Sequence, residues 1–232
     1  MEWLFRLLRP SINRLLPRRP IVVRVLSGPA RGFRLMIEPR TEKYYWRGGH
    51  EPAVAKALVR LLKPGDIFWD IGAHVGYVSL IGSRLVGAGG QVHAFEPLQA
   101  NVGRLREAVR LNAATNLTVH AVAASDTDGF GLLHEHESSL MRSLVEQDPL
   151  GEKVTCVTLD AMLELLGPPD LVKIDVEGAE LRVLAGAGRM LSLHPTLIVE
   201  LLTDANRIEA ETLLGGWNFE RLDSHNWLIR RP

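Results

Sequence analysis

Residues 66–77 read Asp-Ile-Phe-Trp-Asp-Ile-Gly-Ala-His-Val-Gly-Tyr. The first six form a short, largely apolar run of strand length that ends at Gly72. Beyond the second glycine, a helical pattern runs over roughly 75–87. A strand that enters a helix through a glycine turn is the opening unit of a parallel α/β sheet. Gly72 permits the tight turn, and Gly76 permits close approach of the helix to a strand or ligand. The start of that helix offers free N–H groups to an anionic group.

The same alternation continues downstream. Apolar strands are expected at 91–95, 117–122, 170–175 and 196–200, and helices at 98–113, 159–166, 178–186 and 206–214. Continuous apolar strands between helices predict a parallel sheet covered on both faces. Residues 217–230 predict a closing antiparallel pair around Asp223-Ser224-His225. Upstream, Ile21, Val23 and Val25 alternate, a turn follows at Gly28–Gly32, and Phe33, Leu35 and Ile37 alternate again. That is the pattern of a hairpin. A helix over 51–62 stops at Pro64-Gly65. The expected division is an arm over 1–20, a hairpin and helix over 21–64, and the main domain over 65–232. The span at about 123–152 is expected to be irregular apart from a short strand, and with the N-terminal region it should select the substrate.

Composition excludes several classes. The chain has 232 residues, 46% of them hydrophobic, which is too apolar for a disordered protein. Cys156 is the only cysteine, so no disulfide scaffold exists within the chain; it reads as a small buried hydrophobe. No run of about 18 apolar residues is present to cross a membrane as a helix. Basic and acidic residues balance at 27 each, so nothing overall demands nucleic acid. Locally, residues 1–31 hold seven arginines against Glu2 alone. Trp3, Leu4, Phe5, Leu7 and Leu8 are interleaved with them, giving residues 1–20 an amphipathic character. Such an arm packs on its own domain or on the second subunit of a homodimer, or docks on anionic lipid. The stretch is too short for a secretory signal, so the expected location is cytoplasmic, with membrane association through residues 1–20 as the variant reading.

Ligands of open α/β sheets sit at the carboxyl ends of the strands. The residues there are Asp70-Ile71-Gly72-Ala73-His74-Val75-Gly76, Glu96-Pro97, Ser125-Asp126, Asp175-Val176-Glu177-Gly178 and Glu200. A pyrophosphate of NAD would require G-x-G-x-x-G, and this loop is G-x-x-x-G with acids at four other strand ends. Acids suit a ligand with sulfonium and ammonium charges and a neutral nucleoside, which is S-adenosylmethionine. Glu96 is placed for the ribose hydroxyls.

Three blocks together carry a resemblance: Phe68–Tyr77, His93-Ala94-Phe95-Glu96-Pro97 and Val172-Lys173-Ile174-Asp175-Val176-Glu177-Gly178-Ala179-Glu180. They resemble the FkbM-like family of S-adenosylmethionine-dependent methyltransferases over about 44–201. The resemblance implies a Rossmann-like class I sheet of seven mostly parallel strands, the last antiparallel. It also implies methylation of a hydroxyl on a small molecule, polyketide or glycan. Carried over, Asp70, Gly72, Ala73, His74 and Gly76 hold the methionine end, Glu96 the ribose and Asp126 the adenine amine. Asp175 and Glu177 line the methyl-transfer end. The family usually has Asn where this chain has His74, which leaves open whether His74 adds acid–base chemistry. No metal site is visible in the spacing; Asp175 with Glu200 is one pair that could hold a divalent cation, and His134 with His136 is another.

Other readings stand beside these. Asp175 can cap a helix, Glu177 and Glu180 can complement a helix dipole, and Asp126 can be a turn residue. Lys173 and Asp175 share a strand face, which predicts a buried ion pair. Tyr44, Tyr45 and Trp46 either wall the acceptor pocket or pack, and His50 with Glu51 either reach its mouth or cap a helix. His134 and His136 alternate on one strand face and read as solvated. The alternative functions are a dinucleotide-dependent oxidoreductase and a non-catalytic nucleotide-binding module.

Overall fold

The computed structural model describes residues 16–134, 137–141 and 151–232. Most of the amphipathic arm and His136 lie outside them. Apolar strands and helices alternate as the sequence predicts. In chain order the elements are β1 (Ile21–Arg24), β2 (Arg34–Ile37), α1 (Lys43–Arg47), α2 (Pro52–Leu61), β3 (Ile67–Ile71), α3 (Tyr77–Val86), β4 (Gln91–Phe95), α4 (Gln99–Asn112) and β5 (Leu117–His120). Then follow β6 (Ala123–Ala124), β7 (Gly129–His134), β8 (Glu137–Met141), β9 (Gly151–Val157), α5 (Leu159–Leu166), β10 (Leu171–Ile174), α6 (Glu180–Ala185), α7 (Gly188–Leu191), β11 (Thr196–Glu200), α8 (Asp204–Leu213), β12 (Asn218–Arg221) and β13 (Asn226–Arg230).

Seven strands form the central sheet in the order β12-β13-β11-β10-β3-β4-β5. The five central and edge strands β11, β10, β3, β4 and β5 run parallel, and β13 lies antiparallel between β11 and β12. Strand order therefore reverses at β3–β10, the place where an α/β sheet opens a crevice. Successive residues alternate between two buried layers. Phe68, Val92 and Ile198 face a core with α2, α3 and α4, whereas Trp69, Val172 and Leu197 face one with α5–α8.

One feature differs from the sequence reading. The span taken as irregular contains a second sheet, β6-β9-β7-β8, whose small core includes Cys156 at 4% exposure. Alternation in β9 was visible, but its partner β7 lies upstream of β8, and no local pattern encodes that pairing. The hairpin shares one core with the main sheet: Val25, Leu35 and Ile37 are buried with Leu80 and Leu105. Among the described residues no helix is long and apolar enough to cross a membrane.

Candidate active site

A cavity of about 560 Å³ opens at the carboxyl ends of β3, β4 and β10. That volume suits a ligand the size of a nucleoside with a side chain. Its floor is Gly72, Ala73 and His74; Phe95, Glu96 and Pro97 form one side, and Lys173, Asp175 and Glu177 the other. The second sheet adds Ala123, Ala124 and Leu133, and α1 with its flanks adds Glu42, Tyr44, Tyr45 and His50.

The glycine loop is held by the sheet itself. The amides of Gly72 and Ala73 both donate to the carbonyl of Phe95, at 3.0 and 2.9 Å. Gly72 has φ +85°, and a Cβ there would lie 1.8 Å from the carbonyl oxygen of Asp175. Only glycine fits, so the first and third sequence blocks are pressed together at this point. Gly76, also at φ +85°, meets Leu105 of α4; a Cβ would come within 2.3 Å of Cδ1. Its freedom thus serves helix packing, and it does not line the cavity. At the head of α3 the Gly76 amide donates to the Ala73 carbonyl at 2.8 Å and the Ser79 amide to the Asp70 carboxylate, so the turn meets the cavity through Tyr77 and Val78.

Asp70 is fully buried beneath the loop and accepts a 2.5 Å hydrogen bond from the Ser79 hydroxyl. It does not line the cavity, so it supports the loop from below. Asp126 is also kept away. It pairs with Arg182 at 2.9 Å on α6, and Ala123 and Ala124 occupy the cavity wall instead. The Asp126 carboxylate is held in that ion pair beside the wall.

Glu96 does reach the cavity, with 5% exposure. Its carboxylate accepts from the His74 amide and the Leu98 amide, each at 2.9 Å, and from Asn101 Nδ2 at 3.3 Å. Roughly four lone-pair sites exist on a carboxylate, so one remains open for a ligand hydroxyl. Burial raises its carboxyl above the usual range, while these hydrogen bonds pull the other way.

His74 sits in the left-handed region at φ 50°. Arg104, a donor only, lies 3.3 Å from Nε2, so that nitrogen accepts. Nδ1–H then donates to Tyr45 Oη at 2.8 Å. Burial pushes the imidazole below its ordinary range, which keeps it neutral despite Glu42 at 3.4 Å. With both nitrogens engaged, His74 ties Tyr45 to Arg104 and Glu42. Arg104 also forms a buried pair with Glu42 at 2.7 Å and bonds Asn101 Oδ1 at 2.6 Å. This group was not anticipated. Its one signal was that Asn101 and Arg104 fall on the buried stripe of α4 with Leu105 and Ala108.

Opposite lies a cluster around Lys173. Its ammonium is 2.8 Å from Asp175, the ion pair foreseen from their shared strand face, and 3.9 Å from Glu51. Burial alone would raise Asp175, but Lys173 outweighs it and holds the carboxyl at about 2. Burial, reinforced by the Asp175 charge, pushes Glu200 up to about 8. Glu51 rises to about 7 because burial exceeds the attraction of Lys173. Glu51 and Glu200 stand behind the wall and do not line the cavity. Glu177 lines it, in a left-handed conformation at φ 56°, and burial followed by Asp175 raises its carboxyl. Glu180 is fully buried and accepts from the amides of Val176 and Gly178 at 3.0 Å, fixing this turn. No group of three or more His, Cys, Asp or Glu side chains among the described residues is placed to hold a metal ion.

Rings close the remaining side. Tyr45 and His50 stand 4.5 Å apart, and Tyr45 and Tyr77 5.4 Å. The Tyr77 hydroxyl is buried without a hydrogen-bond partner and faces the cavity residues. A buried orphan hydroxyl is a group for a ligand to satisfy. Trp46 points outward at 43% exposure and is not part of the wall.

The methyltransferase FkbM domain model matches residues 70–224 of this chain, which span the glycine loop, Glu96 and the Lys173–Glu180 block. The chain belongs to the FkbM methyltransferase family. This FkbM-family chain is 30% identical over 206 residues to the 31-O-demethyl-FK506 methyltransferase FkbM of Streptomyces tacrolimicus, a match covering 74% of each. Fold relatives agree. Fibrillarin of Aeropyrum pernix, solved with natively bound S-adenosyl-L-methionine, superposes with TM-score 0.52 at 15% identity over 92% of this chain and all of its own. A Thermotoga maritima S-adenosylmethionine-dependent O-methyltransferase gives 0.52 at 12% identity, over 91% of this chain and 77% of that one. Precorrin-6y C5,15-methyltransferase of Geobacter metallireducens gives 0.51 at 18%, over 78% and 89%. The cofactor of this FkbM-family chain is S-adenosylmethionine. The cavity fits it by its volume, its carboxylates for the cationic end and the unpaired Tyr77 hydroxyl.

Proposed function

We propose that this methyltransferase acts on a hydroxyl oxygen of a small molecule, polyketide or glycan. The observation that carries this reading is the side-by-side placement of Asp175, kept ionised by Lys173, and Glu177, whose carboxyl has a raised proton affinity. The relative from Streptomyces tacrolimicus, whose name describes an O-demethyl compound as substrate, supports an oxygen acceptor.

When bound, S-adenosylmethionine supplies an electrophilic methyl group on a sulfonium. Glu96 would hold a ribose hydroxyl through its one open lone pair, and the first turn of α3 would hold the carboxylate. Asp175 would offer fixed negative charge to the cationic end. Glu177 would accept the hydroxyl proton as the oxygen takes the methyl carbon and the carbon–sulfur bond breaks. Tyr44, Tyr45, His50 and Tyr77 would orient the acceptor, and positioning supplies much of the rate in such an in-line transfer. His74 serves as a positioning residue for Tyr45.

The test is incubation with methyl-labelled S-adenosylmethionine and a panel of hydroxyl-bearing polyketides and saccharides. A labelled methyl ether supports the reading. Label on nitrogen or carbon, or transfer to none of the panel or to other acceptor classes only, contradicts it.

A further inference from the structure

Beyond the cavity, the N-terminal face is unusual for an exposed surface. Val22, Arg24 and Leu26 alternate outward along and just past β1, opposite buried Val23 and Val25. Val22 is 47% and Leu26 60% exposed. The Leu26 amide donates to the carbonyl of Trp46 at 3.0 Å, and the Ser27 hydroxyl to that of Arg47 at 2.5 Å. These bonds stitch the end of the hairpin to α1, so Leu26, Trp46 and Arg47 lie together. Between residues 18 and 47 the exposed charged side chains are six arginines and Glu38 alone. The same short helix carries Tyr44 and Tyr45 into the cavity wall, so this face adjoins the mouth.

We infer that this face, centred on Val22, Arg24, Leu26, Trp46 and Arg47, docks on an anionic lipid bilayer. Exposed aliphatic and indole groups gain by entering the headgroup boundary, and arginines around them meet lipid phosphates. An RNA surface would match the charge, but exposed Val22 and Leu26 would find no partner on a phosphate backbone. The inference stands whatever acceptor is methylated. It is distinct from the amphipathic character of residues 1–15, whose arginines add to the charge.

The experiment is co-sedimentation of the full chain with vesicles of phosphatidylcholine, with and without phosphatidylglycerol, at low and high salt. The expected result is binding that requires phosphatidylglycerol and weakens with salt. A variant combining Leu26→Ser, Trp46→Ser, Arg24→Glu and Arg47→Glu is expected to bind at least about tenfold more weakly, with unchanged affinity for S-adenosylhomocysteine as proof of folding. A milder variant, Trp46→Ser alone, covers the case in which the first fails to fold. No preference for the anionic vesicles overturns the inference. So does wild-type binding by the folded variants while deletion of residues 1–15 abolishes it, or retention on RNA without any on vesicles.

Discussion

Gly72 faces the carbonyl oxygen of Asp175 so closely that a methyl group on its α-carbon would lie 1.8 Å from it. Two sequence blocks about a hundred residues apart therefore meet at one backbone contact, under the cavity. Gly72→Ala combines this clash with a left-handed φ and is expected to destabilise the fold by about 3 kcal/mol or more. Urea unfolding measures it; a loss within the range of an ordinary surface substitution would show that the loop has room to move.

Glu96→Ala removes the acceptor for the His74 and Leu98 amides as well as the group offered to the ribose. Affinity for S-adenosylhomocysteine should fall by about 1–3 kcal/mol, the scale of hydrogen bonds to a charged group. Unchanged affinity in a titration removes Glu96 from the nucleoside site.

Breaking the Glu42–Arg104 pair leaves a buried charge behind. Glu42→Ala should cost about 3–5 kcal/mol of stability. Replacing both partners with glutamine should recover part of that loss, which separates the pair's own contribution from the penalty of an uncompensated arginine. If the double variant is no more stable than the single one, the loss comes from packing.

The contribution of Glu51 and Glu200 to stability should be lost as pH rises from about 4.5 to 8, because they are held near 7 and 8 in the fold and ionise near 4.5 when unfolded. The folded state binds more protons than the unfolded state there, so raising pH favours unfolding. On the acid side the sign reverses: His50 at about 3 and His93 at about 4 must be protonated below their unfolded range, and Asp175 at about 2 loses its Lys173 pairing last. Glu200→Gln should flatten the alkaline limb of thermal unfolding and leave the acid limb; a limb unmoved by that change would place the titration elsewhere.

Much of the fold was legible because burial on both faces of a parallel sheet writes continuous apolar strands into the sequence, as at Phe68–Ile71 and Leu197–Val199. Glu96, Lys173 and Asp175 were legible because strand ends are where such sheets place ligands. Asp126 sits at such an end yet turns to Arg182, since a partner from another helix competes for its carboxylate. Glu42 and Arg104 are 62 residues apart and meet only because α1 and α4 both pack against β2, which no local pattern encodes. The sheet formed by β7 and β9 was hidden for the same reason.

The central claim is that the cavity beside Gly72 and Glu96 holds S-adenosylmethionine and no dinucleotide. Calorimetric titration with S-adenosylhomocysteine, with NAD as the control, tests it most directly. The account predicts saturable one-site binding of S-adenosylhomocysteine, weakened in Glu96→Ala, and none of NAD. Binding of NAD alone would contradict it.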